Sequence, residues 1–89
     1  MKGTIMTEEK SERFLKEICI ELKNIRKDLQ ISQDKVSNEL GITKSYLSQL
    51  ENGKRKRISV MFIYTLTEFY GVPIEYVFKK VRTKIEIAD

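Results

Sequence analysis

Polar side chains between Thr43 and Gly53 have the types and spacing needed to form hydrogen bonds with another molecule. In a helix of about 3.6 residues per turn they share one side, while Leu47 and Leu50 point the other way. The polar set is Lys44, Ser45, Ser48, Gln49 and Asn52. Ammonium and amide groups of this kind pair with the edges of DNA bases, so this side of the helix is the candidate for recognition.

Two short helices joined by a tight turn are predicted to position these side chains. Ser32 can cap the first helix, because a serine hydroxyl accepts a hydrogen bond from the first turn of a helix. Gly41 ends that helix, because glycine adopts the left-handed conformation without steric cost. Thr43 caps the second helix and Gly53 ends it. This is a helix-turn-helix pattern, in which the second helix typically lies in the major groove of DNA.

The densest run of charge in the chain follows directly after Gly53 and contains no acidic residue. It consists of Lys54, Arg55, Lys56 and Arg57. Such a run is either a solvated loop or a contact with phosphate groups. Its position next to the polar helix favours phosphate contact, because cations bound at the DNA backbone release counterions and gain affinity.

Apolar residues at three- and four-residue steps predict three further helices, and hence a compact all-α fold of five helices. Helix 1 is predicted over residues 11–29, helix 4 over residues 59–70 with Ser59 as its cap, and helix 5 from Pro73 onward. The apolar stripe of helix 1 consists of Phe14, Leu15, Ile18, Leu22, Ile25 and Leu29. The stripe of helix 4 consists of Val60, Ile63, Leu66 and Tyr70, widened by Phe62 and Phe69.

The two ends of the chain are less constrained by pattern. Residues 1–10 are predicted to form a flexible arm ahead of a helix-turn-helix domain over residues 11–78, with an earlier helix start at Thr7, followed by Glu8, Glu9 and Lys10, as the alternative. Residues 79–89 form an uncertain tail with an alternating apolar pattern that fits a strand, whereas Val81 and Ile85 also fit a continuation of helix 5. A strand would need a partner chain, and either form could serve a dimer contact. Disorder is the third alternative.

The composition of this 89-residue chain bears on the class of function. With 17 Lys and Arg against 13 Asp and Glu, the formal net charge is +4, which favours an anionic partner. The chain has no His and one Cys, Cys19, so it lacks the commonest acid–base catalyst and a zinc-binding Cys/His cluster. We therefore expect no enzyme, no metal and no other cofactor. A single Cys fits the reducing cytoplasm, and no apolar run reaches the ~18 residues of a membrane span.

Residues 22–78 resemble the phage-repressor and Cro type of helix-turn-helix domain, also called the xenobiotic-response-element family. The segments that carry the resemblance are IRKDLQISQDKVSNELGITKSYLSQLENG and GVPIEYVF. The resemblance implies a lambda-repressor-like DNA-binding fold and a transcriptional regulator, in the first place a repressor. A few base-reading residues per chain give little discrimination, so we expect a homodimer on a palindromic double-stranded operator. The loop KRKRIS departs from the family, which often has a proline there.

The resemblance also implies roles for individual residues, and helical geometry adds Ser48 to the base-reading side and Tyr46 at its edge. The residues expected to meet base edges are Lys44, Ser45, Ser48 and Gln49. The residues expected to contact the DNA backbone are Gln33, Thr43, Tyr46, Asn52, Lys54 and Arg55. Arg26 and Glu51 match an ion pair between helix 1 and helix 3, so their implied role is structural.

The wide apolar face of helix 4 and the alternating tail leave a second class of function open. The chain could be an antitoxin, or another protein-interaction module with a DNA-binding fold, that binds a protein partner through either feature. A controller protein of a restriction system is a further alternative among regulators.

Overall fold

Five α-helices and the turns between them make up the computed structural model, which describes the backbone of residues 3–88 and the side chains of residues 8–87. The helices are α1 (Gly3–Asp28), α2 (Gln33–Leu40), α3 (Lys44–Glu51), α4 (Val60–Tyr70) and α5 (Ile74–Ala88). The described part of the chain contains no strand. The predicted all-α fold of five helices is therefore confirmed.

Polar caps set the starts of the three middle helices, as the sequence predicts. Ser32, Thr43 and Ser59 each accept a hydrogen bond of 3.0 Å from the backbone N–H three residues further on. Gly41 follows α2 with a φ of 67°, in the left-handed region that disfavours side chains. These caps and the glycine fix where α2 ends and α3 begins, and so fix the helix-turn-helix unit.

The first helix begins at Gly3, eight residues before the predicted start at Ser11. Residues 4–28 contain neither Gly nor Pro, so nothing in the sequence ends a helix in that stretch. At about 1.5 Å per residue its 26 residues span about 39 Å, which accounts for most of the 45 Å length of the molecule. The flexibility expected of residues 1–10 stays a prediction, and residues 1 and 2 lie outside the described residues.

The last helix runs through most of the segment whose conformation the sequence left open. Of the alternatives, the continuation of helix 5 is the one observed, since α5 extends to Ala88. Its side chain at Val81 is fully buried. The ion pairs Lys80–Glu21, at 2.9 Å, and Lys84–Glu17, at 2.8 Å, tie α5 to α1. Residues 80–84 thus pack onto α1 as part of the bundle.

One apolar core lies between α1 and the helices packed around it. α3, α4 and α5 each pack against α1, and α2 packs against α3. The core consists of Ile18, Cys19, Leu22, Ile25, Val36, Leu47, Leu50, Ile63, Leu66, Tyr70, Val77 and Val81. None of the described helices is both long and apolar enough to cross a lipid bilayer.

Two residues assigned to inward stripes by periodicity are exposed. Leu29 follows the last residue of α1, where the left-handed Gln30, with a φ of 59°, turns the chain away from the helix axis. Val60 is the first residue of α4, and its side chain is 64% exposed. The burial expected of Leu29 was wrong, because a helical stripe is buried only as far as a neighbouring element covers it, whereas an exposed part of the α4 stripe is one of the alternatives that the sequence left open.

Candidate nucleic-acid interface

The third helix divides into a buried side and an exposed polar side. Leu47 and Leu50 are completely buried and attach α3 to the core. On the other side Ser48 is half-buried and the remaining polar side chains are exposed. We call these polar residues the recognition face; they are Lys44, Ser45, Ser48, Gln49 and Asn52. The sequence-based division of this helix into two sides therefore agrees with the fold.

A buried ion pair holds α3 against α1. Arg26 Nε donates to Glu51 Oε2 at 2.6 Å, and Arg26 Nη2 donates to Glu51 Oε1 at 3.0 Å. The hydrogen bonds with Glu51 raise the pKa of Arg26 above its ordinary value, although burial opposes this. Arg26 Nη1 also donates to the carbonyl of Ile31 at 2.7 Å, so one guanidinium connects α1, the following turn and α3.

The same carboxylate connects α2 to this cluster. Gln33 Nε2 donates to Glu51 Oε1 at 2.9 Å, and the Gln33 side chain is half-buried at the first residue of α2. This amide nitrogen is therefore engaged within the protein, whereas the resemblance implies a contact of Gln33 with a DNA phosphate. Arg26, Gln33 and Glu51 form what we call the hub, which fixes α1, α2 and α3 relative to one another.

Two buried titratable groups lie in the core behind the interface. Burial, reinforced by the charge of Glu51, raises the pKa of Tyr70 to about 12. The Tyr70 hydroxyl is buried and has no hydrogen-bond partner among the described residues. Burial likewise raises the pKa of Cys19 to about 11, which leaves a neutral thiol that packs as a small apolar group.

A stack of side chains connects α3 to the basic loop, which we define as residues 54–57. The Arg55 guanidinium carbon lies 4.7 Å from the centre of the Tyr46 ring. The Tyr46 ring in turn packs edge-on against Phe62 of α4, with centroids 5.6 Å apart. Tyr46 is thus half-buried between core and surface, and its ring holds one cation of the basic loop beside α3. All four cations of the basic loop are exposed.

The path of the basic loop is set where α3 ends. The backbone N–H of Gly53 donates to the Leu50 carbonyl and that of Lys54 to the Gln49 carbonyl, each at 3.0 Å. This pair of bonds closes a helix with a left-handed residue, and Gly53 has a φ of 69°. Lys54 and Arg55 therefore leave α3 directly beside the last turn of the recognition face.

Some contacts at the interface were not predicted from the sequence. Lys44 Nζ lies 3.4 Å from Asp34 Oδ1 across the helix-turn-helix turn, and Lys23 Nζ of α1 lies 3.4 Å from Asn52 Oδ1. The sequence does contain the two residues of the first pair, Asp34 in the first turn of α2 and Lys44 as the first residue of α3. Sequence alone did not show that the turn brings them together.

The structure therefore places the sequence-predicted residues at both ends of α3 and along its exposed side. Thr43 is exposed at the N-cap of α3, and its hydroxyl accepts from the Tyr46 N–H. Within the described residues no three Cys, Asp or Glu side chains gather as a metal ion would require. What the surface offers is a set of hydrogen-bonding groups beside exposed cations, and these suit a polyanion with polar edges.

A comparison with known families agrees with this geometry. The sequence profile of a family described as a helix-turn-helix domain matches residues 20–82. The match covers well over half of the chain, so the chain belongs to this helix-turn-helix domain family. Membership suggests DNA binding by a helix-turn-helix regulator, in a family that is typically non-enzymatic. A search among curated proteins gave no match.

Proposed function

We propose that this protein is a sequence-specific double-stranded DNA-binding regulator of the phage-repressor and Cro type, which inserts α3 into the major groove. The observation that carries the proposal is the exposure of Lys44, Ser45 and Gln49 on a helix whose Leu47 and Leu50 are completely buried. A helix anchored on one side and polar on the other presents its side chains to base edges without any rearrangement of the core.

The recognition face carries groups that distinguish base pairs. The Gln49 amide can donate to and accept from adenine, and the Lys44 ammonium can donate to the two acceptors of guanine. Ser45 and Ser48 can pair with either kind of edge. Each good base contact is worth about 1–3 kcal/mol of discrimination, so the set favours a short defined sequence.

Backbone contacts would come from both ends of α3. Thr43 at its N-cap, with Gln33 at the start of α2, lies where helix N-termini present free backbone N–H groups to phosphates. Asn52, Lys54 and Arg55 lie at the other end, and the Tyr46 ring holds Arg55 in place. Contacts of this kind fix the position of the protein on the duplex but carry no sequence information themselves.

The proposal includes a homodimer on a palindromic operator in the cytoplasm, with repression as the outcome. Two copies double the length of sequence that is recognised and place their recognition helices one helical turn apart, about 34 Å. The start of α4 offers an apolar surface for a second copy, because Val60, Met61 and Tyr64 are exposed there. Occupying an operator would then exclude other proteins from the same DNA.

The test is a selection of bound duplexes from random DNA. We expect one short sequence to be enriched, with two-fold symmetric halves about 10 base pairs apart centre to centre. Binding to the winner should weaken linearly on a plot of log affinity against log salt. Enrichment without any shared sequence, with all duplexes bound equally, would contradict sequence-specific recognition.

The exposed apolar surface of α4 also favours a second candidate, a protein-interaction module such as an antitoxin. In that case Val60, Met61 and Tyr64 would contact a different protein. Purification from its native host would then recover that protein in stoichiometric amount, and substitution of Met61 by Lys would release it. A controller protein of a restriction system would instead select a short DNA sequence, as expected for the regulator.

A further inference from the structure

An acidic side chain of α2 contacts the first residue of the recognition face. Asp34 Oδ1 lies 3.4 Å from Lys44 Nζ, and the contact spans the helix-turn-helix turn. The Lys44 and Asp34 side chains are 60% and 70% exposed, so water screens the pair and it contributes little to stability. Because the pair lies at the surface that would meet DNA, its main effect would be on DNA binding.

The other acids of α2 and α3 are engaged elsewhere. Glu51 is buried and bonded to Arg26 and Gln33. Glu39 lies near the end of α2 and pairs with Lys35 at 3.6 Å, one helical turn away. Asp34 is therefore the acid of these two helices that lies against the recognition face, where DNA phosphates would have to approach.

We propose that Asp34 is a specificity-determining residue for DNA binding, an inference that rests on the proposed function. The negative charge of its carboxylate reduces the attraction of the Lys44 ammonium for a phosphate. A phosphate that approaches Lys44 is also repelled by this carboxylate. A guanine edge is uncharged, and an ammonium group has three donors, so Lys44 can serve Asp34 and a base together. Asp34 thus weakens contacts with phosphates more than contacts with bases. It thereby raises the ratio of specific to non-specific affinity.

Replacing the Asp34 carboxylate by an amide should change the salt dependence and the affinity of DNA binding. In Asp34→Asn, Lys44 becomes available to a phosphate, which adds about one counterion-releasing contact per chain. The slope of log affinity against log salt on non-specific DNA should then steepen by about 0.9 per chain. Affinity for non-specific DNA should rise roughly five- to tenfold per bound chain near 0.1 M salt, and affinity for the selected duplex should rise less.

The experiment compares the full-length protein with two variants. Fluorescence anisotropy over a series of salt concentrations gives affinities for the selected duplex and for a scrambled duplex of equal length and composition. Glu39→Gln is the matched control, because it removes one carboxylate from the same helix and also frees a paired lysine. Thermal unfolding verifies that the three proteins are equally folded.

The outcomes separate this inference from the function on which it rests. We expect Asp34→Asn to lower the ratio of specific to non-specific affinity several-fold, and Glu39→Gln to leave that ratio near the wild-type value. An unchanged ratio in Asp34→Asn, or an equal fall in both variants, would overturn the inference alone. A wild-type protein that does not discriminate between the duplexes would overturn the proposed function and this inference with it.

Discussion

Arg26 and Glu51 are both buried, and either charge would be costly to bury alone. Two hydrogen bonds join them, Arg26 also donates to the Ile31 carbonyl, and Gln33 donates to a Glu51 oxygen. Burying such a pair is weak evidence for a net gain in stability, because desolvation offsets much of the attraction. The pair instead fixes the orientation of α3, because these hydrogen bonds form together only when α3 lies in this position against α1 and α2.

Removing one charge of the hub should be strongly destabilising. Glu51→Gln leaves the Arg26 charge buried without its counter-charge, and we expect a loss of about 3–5 kcal/mol in the free energy of unfolding. Urea denaturation followed by circular dichroism measures this loss. Glu39→Gln is the control, because its exposed pair with Lys35 should contribute about 0.5 kcal/mol or less. A loss below about 1 kcal/mol in Glu51→Gln would show that the hub is not needed for folding.

Tyr70 provides the opposite case, a buried polar group with no hydrogen-bond partner among the side chains that the structure describes. Tyr70→Phe removes a desolvated hydroxyl, so we expect the free energy of unfolding to stay constant or to rise by about 1 kcal/mol. Urea denaturation at neutral pH checks this. A loss above about 1 kcal/mol would mean that the hydroxyl makes a favourable contact in solution.

The same hydroxyl should make the protein sensitive to alkali. The folded state raises the pKa of Tyr70 from 10.0 to about 12, so the folded chain keeps its proton after the unfolded chain has lost it. The contribution of Tyr70 to stability is therefore complete below about pH 10 and falls by about 2–3 kcal/mol as the pH rises to about 12. Unfolding midpoints measured from pH 8 to pH 12 should fall less in Tyr70→Phe. Burial raises the pKa of Cys19 from 9.0 to about 11, which adds a fall of similar size in both proteins, so parallel curves would contradict the assignment to Tyr70.

At the scale of elements, short helices depend on what they pack against. α2 and α3 have eight residues each, which is too short for stable isolated helices, so the hub and the core must hold them. α5 contributes from the other side of α1 through Val81 and the ion pairs of Lys80 and Lys84. The last helix thus supports α1, which in turn supports the recognition helix.

That support predicts different effects for neighbouring substitutions in α5. Val81→Ala removes buried methyl groups and should lower the free energy of unfolding by about 2 kcal/mol. Thr83→Ala, at an exposed position of the same helix, should change it by less than about 0.5 kcal/mol. Paired urea denaturation curves measure both. Equal, small effects would mean that the end of α5 is not packed in solution.

The sequence predicted those elements whose ends carry local signals. Ser32, Gly41, Thr43 and Ser59 act through bonds to their own neighbours, so the bounds of α2, α3 and the start of α4 follow from the residue types. The start of α1 at Gly3 carries no such cap signal, because residues 4–28 contain neither Gly nor Pro to mark a boundary. The exposure of Val60 depends on which neighbours cover it, and periodicity does not contain that information.

In the candidate site, too, local features could be predicted from the sequence and contacts between elements could not. The polar side of α3 is a property of one helix, and its exposure agrees with the periodicity. The contacts Asp34–Lys44 and Tyr46–Arg55 cross turns, and they depend on side-chain directions that the spacing of residues does not fix. Sequence therefore predicted which groups the surface offers, and the structure added how these groups restrain one another.

At the scale of the whole molecule, charge and apolar surface are separated. The basic loop extends from the end of α3, while α4 has no cation and exposes Val60, Met61 and Tyr64. An exposed apolar surface beside a DNA-binding surface fits contact with a second copy, because a dimer would bury these side chains from water. Binding to DNA would then orient both copies about a two-fold axis.

This arrangement predicts a dimer that depends on α4. Met61→Lys introduces a charge at a side chain that is 81% exposed in one chain, so it should preserve folding but weaken self-association at least tenfold. Ile87→Lys, at a side chain of 80% exposure on α5, is the control and should leave association unchanged. Sedimentation equilibrium measures both. Weaker association in Ile87→Lys alone would place the interface at the end of α5.

The most direct measurement compares how the wild-type protein and Lys44→Ala/Gln49→Ala discriminate between the selected duplex and a scrambled one. Both substitutions are at exposed positions, so the variant should fold normally and retain the basic loop. We expect its non-specific, salt-sensitive binding to remain, while the ratio of specific to non-specific affinity falls about 100-fold or more toward unity. A double variant that discriminates between the duplexes as well as the wild-type protein would show that α3 does not read the bases.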